Sequence, residues 1–175
     1  MVRFQTPAPA LKRSYELGKA GPRAVGIIAA ALIIAGYAYH PDQYITPKNG
    51  LGYALGITGA SMLALLFLYS AKKRWPRAFP RSEYNWFWWH PLLGIFGPIA
   101  ILYHTGFHLG AGNARIAMCS MWVTVISGLI GRYLYNRKHL AKFDQWFEHW
   151  RMFHLPFLAM LLMAGVIHIV STFFY

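Results

Sequence analysis

The sequence predicts an all-α, polytopic membrane bundle of five transmembrane helices with two histidine-ligated sites between its third and fifth helices. Of its 175 residues, 57% are hydrophobic and only 13% are charged, whereas a soluble domain normally carries about 25% charged residues. Five apolar segments are candidates to cross a bilayer. Two of these segments each carry a pair of histidines spaced fourteen residues apart, His90 with His104 and His154 with His168.

The five segments set the predicted domain organisation. A bilayer core requires about 20 predominantly apolar residues, and the candidate spans cover approximately 24–39, 51–71, 86–109, 114–135 and 152–175. Residues 1–23 are predicted to form a basic cytoplasmic tail. No small-residue cleavage site is visible near the end of the first span, which predicts an uncleaved anchor rather than a signal peptide.

The distribution of positive charge predicts the orientation of the bundle. Fifteen of the seventeen Lys and Arg residues lie in the N-terminal tail, after the second span or around the loop after the fourth, and only Lys48 and Arg115 lie on the opposite side. By the positive-inside rule the N-terminus is cytoplasmic and the C-terminus is outside. The net charge of +12 is thereby explained without a nucleic-acid partner. A docking face for anionic lipid or an acidic redox partner is the second interpretation of these residues. The predicted location is a bacterial or archaeal cytoplasmic membrane.

The histidine spacing predicts two stacked sites. Fourteen helical residues advance about 21 Å and return to within about 40° of the same face, so each span presents two imidazoles on one stripe. The third and fifth spans run in the same direction, since one span separates them. His90 therefore pairs with His154 near the cytoplasmic side, and His104 pairs with His168 near the outside. Ionisable side chains at this depth are costly and indicate function.

The chemistry that suits two such pairs is the binding of two b-type haems, each with both axial positions of its iron filled by imidazole. The sequence has no CxxCH motif for covalent haem attachment. Glycines on the histidine stripes leave room for a flat macrocycle close to the backbone: Gly94, Gly97 and Gly165. Arginines are predicted to neutralise the haem propionates, with lipid phosphate as their competing partner: Arg81, Arg132 and Arg151 for the inner haem, Arg115 for the outer.

Two other interpretations of the histidines remain open. They can be hydrogen-bonded packing residues, or they can line a zinc or copper channel, since imidazole suits both metals. A channel is expected to bring acidic, Cys or Met partners into the membrane, and the third and fifth spans contain no acid. His108, predicted on the stripe one turn beyond His104, is a candidate partner for a propionate or a quinone, a substitute ligand, or an interfacial residue. Gly128 and Gly131 are predicted to permit close helix packing.

The segments HPLLGIFGPIAILYH and HLPFLAMLLMAGVIH resemble the di-haem core of the ferric-reductase-like transmembrane cytochromes. The helix-pair geometry is also similar to that of cytochrome b in quinol-oxidising complexes. The resemblance covers roughly residues 86–175 and implies haem ligation by His90, His104, His154 and His168. Ferric-reductase-like enzymes generally add a sixth span and often flavin- and nicotinamide-binding domains. This sequence has no Gly-rich phosphate loop.

The expected function is transmembrane electron transfer by a di-haem cytochrome b that serves as the membrane subunit of a larger oxidoreductase complex, rather than as a stand-alone enzyme. The expected partners are membrane lipid and flavin, iron–sulfur or cytochrome c type subunits, with a quinone as an alternative electron carrier. Two other functions stay open: a cytochrome b subunit that itself oxidises quinol or reduces quinone, and a non-redox membrane anchor or assembly protein.

Overall fold

The computed structural model describes residues 9–74, 83–110, 112–137 and 141–174. Within these ranges the chain is helical and contains no strand, as the predicted all-α class requires. It forms five α-helices and one 3-10 turn at Pro41–Gln43. The helices are α1 (Pro9–Tyr39), α2 (Gly50–Arg74), α3 (Glu83–His104), α4 (Asn113–Arg137) and α5 (Ala141–Phe174).

The first and last helices begin well before the predicted spans. Helix α1 starts at Pro9, inside the predicted basic tail, and proline suits the first turn of a helix because no intrahelical partner is lost there. Helix α5 starts at Ala141, so residues 141–151, expected in a cytoplasmic loop, continue the fifth helix. Its 34 residues measure about 51 Å, longer than a bilayer core of about 30 Å.

The third helix ends earlier than the prediction of residue 109, because a glycine C-cap stops it after His104. The Phe107 amide donates to the Leu102 carbonyl at 2.9 Å and the Gly106 amide donates to the Tyr103 carbonyl at 3.2 Å. With Gly106 at a positive φ of 58°, these bonds form a Schellman motif. The prediction that His108 continues the histidine stripe is therefore wrong, since His108 lies in the following loop.

The helices pack as two close pairs, α2 with α3 and α4 with α5. Glycine allows the first pair to approach closely: a Cβ built on Gly59 would lie 2.9 Å from the Gly97 carbonyl oxygen. A small buried cluster joins α3, α4 and α5, formed by Leu102, Met118, Met121 and Leu161. Helix α1 lies against α3, where the Tyr103 hydroxyl donates to the Leu32 carbonyl at 2.7 Å.

Two helices are long and apolar enough to cross a membrane within the described ranges, over Asn113–Tyr135 of α4 and Gln145–Phe174 of α5. Shorter apolar stretches lie in α1, over Arg23–Tyr39, and in α2, over Gly50–Leu66. Only 28% of the apolar stretch of α4 and 11% of that of α5 is buried inside the protein. The core helices of a soluble protein would instead be mostly buried, and exposed apolar surface on this scale indicates a membrane or protein partner.

Candidate functional site

Four histidines of α3 and α5 lie near one another as two pairs. His90 on α3 lies within electrostatic range of His154 on α5, and His104 on α3 lies within electrostatic range of His168 on α5. These are the pairings expected if α3 and α5 run in the same direction. We call His90 and His154 the inner pair, and His104 and His168 the outer pair.

In the inner pair, His154 is held by a side chain of α4. Its Nδ1 lies 2.8 Å from the Ser127 hydroxyl oxygen, and that hydroxyl donates to the Thr124 carbonyl at 2.9 Å. A carbonyl can only accept, so both contacts are satisfied when the Ser127 hydroxyl donates to Thr124 and accepts from His154, with the proton of the ring on Nδ1. The lone pair of the imidazole is therefore on Nε2, the nitrogen available to a metal.

An indole fixes the plane of the same imidazole. Trp150 stacks on His154 with ring centroids 5.0 Å apart and an angle of 26° between the planes. Its Nε1–H donates to the Ser127 backbone carbonyl, and its six-membered ring lies against Gly131, where a Cβ would overlap it. Close packing at Gly131, predicted from the sequence, is thereby confirmed. His154 is buried and restrained by one turn of α4.

In the outer pair, His104 is held by the backbone of α2. Its Nδ1 lies 2.8 Å from the Gly52 carbonyl oxygen. A carbonyl can only accept, so Nδ1 is the protonated nitrogen and the lone pair is again on Nε2. The ring rests on Gly56, where a Cβ would lie 2.7 Å from Nδ1. One histidine of each pair therefore has the partner that metal-ligating imidazoles usually have, an acceptor for the other ring N–H.

The glycines predicted on the histidine stripes face different surroundings. Helices α3 and α5 are not among the helix pairs that pack closely in the described ranges. A Cβ built on Gly94 or on Gly165 would meet no atom within 4 Å. Both of these glycines, predicted to leave room for a macrocycle, therefore face open space. Gly97 instead faces α2, where a Cβ would lie 3.2 Å from the Cβ of Met62.

The four predicted propionate-binding arginines are placed differently from one another. Arg81 lies outside the described residues. Arg115 is exposed, and its Nε donates to the Gly110 carbonyl at 3.3 Å in the loop before α4. Arg132 is half-buried on α4, and Arg151 is exposed on α5.

His108 lies at the protein surface and contacts Asp42. Its Nε2 lies 3.4 Å from a carboxylate oxygen of Asp42, and its side chain is 71% exposed. The contact ties the loop after α3 to the 3-10 turn after α1. In this position His108 is an exposed surface residue.

Sequence reasoning missed the residues that orient the histidines: Ser127, Gly52, Gly56 and Trp150. Ser127 and Trp150 precede His154 by 27 and 4 residues. Trp150 stands one helical turn before His154, a spacing that places both on one face of a helix, whereas nothing in the sequence relates Ser127 or Gly52 to a particular histidine.

No family model, no curated protein and no solved structure matches the chain. Across the described ranges, no three or more His, Cys, Asp or Glu side chains converge as a metal-binding group. The histidines instead come together in twos. Function is therefore inferred from the two pairs, the fixed nitrogens of His154 and His104, and the open space at Gly94 and Gly165.

Proposed function

We propose that the chain is a five-span, di-haem cytochrome b that carries electrons across a membrane as one subunit of a larger oxidoreductase complex. The observation that carries the proposal is that histidines of α3 and α5 lie within electrostatic range of one another in two pairs. In each pair, one ring has its Nδ1 proton committed to an acceptor on a neighbouring helix. Two imidazoles per site match the ligand set of a low-spin, electron-transferring haem.

The residues present fit this group. His90 and His154 would hold the inner haem and His104 and His168 the outer one, with Gly94 and Gly165 leaving the backbone open beside them. When bound, each haem supplies an iron that exchanges one electron between its ferric and ferrous states. The chain contributes ligand orientation: the Gly52 carbonyl and the Ser127 hydroxyl hold Nδ1–H, so Nε2 of His104 and His154 faces away from these partners.

The proposed function predicts the colour and stoichiometry of the protein. We expect the full chain, purified in detergent, to contain about two non-covalent haem b groups per chain and to show a low-spin spectrum when reduced. The measurement is a reduced-minus-oxidised spectrum combined with haem quantification after extraction. A protein that lacks a Soret band after expression with ample haem would instead support packing histidines in a membrane anchor.

The proposed topology is five spans with a cytoplasmic N-terminus. It is supported by the length and exposure of α4 and α5 and by the fifteen positive charges predicted on one side. We expect alkaline phosphatase fused after residue 175 to be active, because it matures outside the cytoplasm. Green fluorescent protein inserted between α4 and α5, at residues 138–140, should fluoresce. A fluorescent C-terminal fusion would contradict an odd number of spans with this orientation.

The proposed partners follow from the same arrangement. A haem whose iron has both axial positions filled exchanges electrons without binding a substrate at the iron. A second redox subunit or a membrane quinone is therefore required at each end of the electron path. If the isolated subunit reduces its haems with a quinol analogue, it reacts with quinone directly. If only a partner subunit can reduce them, the chain is a conduit.

A further inference from the structure

We infer that Ser127 is a positioning residue that lowers the reduction potential of the inner haem, through the hydrogen bond that its hydroxyl accepts from His154. The inference rests on the proposed function, because it concerns the haem held by His90 and His154. According to this inference, one hydroxyl of α4 sets the reduction potential of the inner haem and does not affect that of the outer haem.

The direction of each hydrogen bond around Ser127 follows from its two partners, because the Thr124 carbonyl can only accept and the hydroxyl has a single proton to donate. That proton is donated to the Thr124 carbonyl at 2.9 Å. The oxygen that remains lies 2.8 Å from Nδ1 of His154 and therefore accepts from it. The bond to Thr124 also polarises the hydroxyl in the sense that makes its oxygen a better acceptor.

An acceptor for Nδ1–H makes a metal-bound imidazole more basic. A more basic ligand donates more charge to the iron and stabilises its ferric state relative to its ferrous state, because the ferric iron carries the larger charge. The reduction potential consequently falls. Removal of the Ser127 hydroxyl should therefore raise the potential of the inner haem.

The histidine of the outer haem has a different hydrogen-bond acceptor. His104 donates from Nδ1 to the backbone carbonyl of Gly52 at 2.8 Å, and a backbone acceptor is present whatever side chain occupies that position. The two sites thus differ in their acceptors. The inner site uses the side chain of Ser127, and the outer site uses a backbone carbonyl. A change at residue 127 is expected to move one potential and leave the other unchanged.

The structure allows the hydroxyl to be removed with little disturbance around it. Trp150, which stacks on His154, donates to the backbone carbonyl of Ser127 and not to its side chain. Alanine retains that carbonyl and is the residue most compatible with a helix. Ser120, two turns earlier on α4, provides a matched control, since its buried hydroxyl donates to the Ile116 carbonyl at 2.7 Å.

The experiment is a potentiometric titration of both haems in the full-length protein and in three variants, Ser127→Ala, Ser127→Thr and Ser120→Ala. We expect Ser127→Ala to retain both haems and to shift one midpoint potential upwards. Ser127→Thr, which keeps a hydroxyl, and Ser120→Ala should give the wild-type values. The haem that shifts should be the one that is lost when His154 is replaced.

Two unshifted potentials in Ser127→Ala, or equal shifts of both haems, would overturn the inference while leaving the di-haem assignment in place. If Ser127→Ala loses the inner haem, the test passes to Ser127→Cys, whose thiol is a weaker acceptor and should give an elevated inner potential. An inner potential of wild-type value in that variant would also overturn the inference. Absence of haem from the wild-type protein would refute the proposed function itself.

Discussion

Replacement of His154 by leucine is expected to remove one haem and leave the other, so that the haem content falls from about two to about one per chain. Leucine removes the nitrogen donor while filling much of the buried volume of the ring. It also leaves no hydroxyl proton without a partner, because Ser127 continues to donate to the Thr124 carbonyl. The measurement is haem quantification with a redox titration of the haem that remains.

The four single histidine variants together test the pairing. We expect His90→Leu and His154→Leu to lose the same haem, and His104→Leu and His168→Leu to lose the other. Variants of one pair should therefore retain a haem with the same midpoint potential. If His90→Leu matched His168→Leu instead, the pairs would be crossed and the electrostatic proximity of His90 to His154 would not reflect shared ligation.

Two histidines outside the pairs supply the controls. His149 lies on α5, five residues before His154, and its Nδ1 lies 2.8 Å from the Gln145 carbonyl oxygen in its own helix. His108 is at the surface beside Asp42. Both His149→Leu and His108→Leu should retain two haems. Retention of both haems by all four paired variants would mean that the paired histidines pack against their neighbours without ligating iron.

The pairing itself could be predicted from the sequence because it depends on two quantities that primary structure contains. The interval of fourteen residues determines the face and depth of each histidine. The order of the helices determines that α3 and α5 run in the same direction when α4 separates them. Neither quantity depends on how the side chains pack, so the interval and helix order sufficed to match His90 with His154 and His104 with His168.

The partners of the histidines could not be predicted, because they depend on the lateral rotation and height of neighbouring helices. Gly97 illustrates this point. Helical periodicity places it within about 20° of His90, yet it packs against α2, where a Cβ would lie 3.2 Å from the Cβ of Met62. Gly94, one turn earlier, still faces open space. Residues within one stripe of about 80° on α3 can therefore face two different neighbours. Periodicity alone does not predict which residue faces which neighbour.

The end of α3 shows a different limit. Hydropathy continues through Leu109, so the predicted span did too. The backbone turns at Gly106 and Phe107, where φ is 58° and 64°. The Schellman bonds end the helix at His104, although apolar side chains continue after Gly106. A glycine C-cap is a local signal, but in an apolar segment it competes with glycines such as Gly94 and Gly97, which lie inside the same helix.

The pair Gly131 and Gly128 gives the sharpest test of how α4 and α5 hold the inner site. The two glycines lie three residues apart on α4, yet a Cβ would overlap the Trp150 indole at Gly131 and would lie 3.6 Å from Cε1 of His154 at Gly128. Only the second distance is an ordinary van der Waals contact. An alanine at residue 131 must displace the indole, whereas an alanine at residue 128 can be accommodated.

We expect Gly131→Ala to destabilise the protein by about 1–3 kcal/mol, the usual effect of overpacking a close contact, and to weaken binding of the inner haem. Displacement of Trp150 removes the stacking that fixes His154, so the loss should be confined to one haem. Gly128→Ala should retain both haems and should gain slightly in stability from the better helix propensity of alanine, by up to about 1 kcal/mol. Unfolding in a denaturing detergent, followed by the absorbance of each haem, measures both effects. Equal behaviour of the two variants would show that Trp150 does not restrain the site, because only one of the two substitutions reaches its indole.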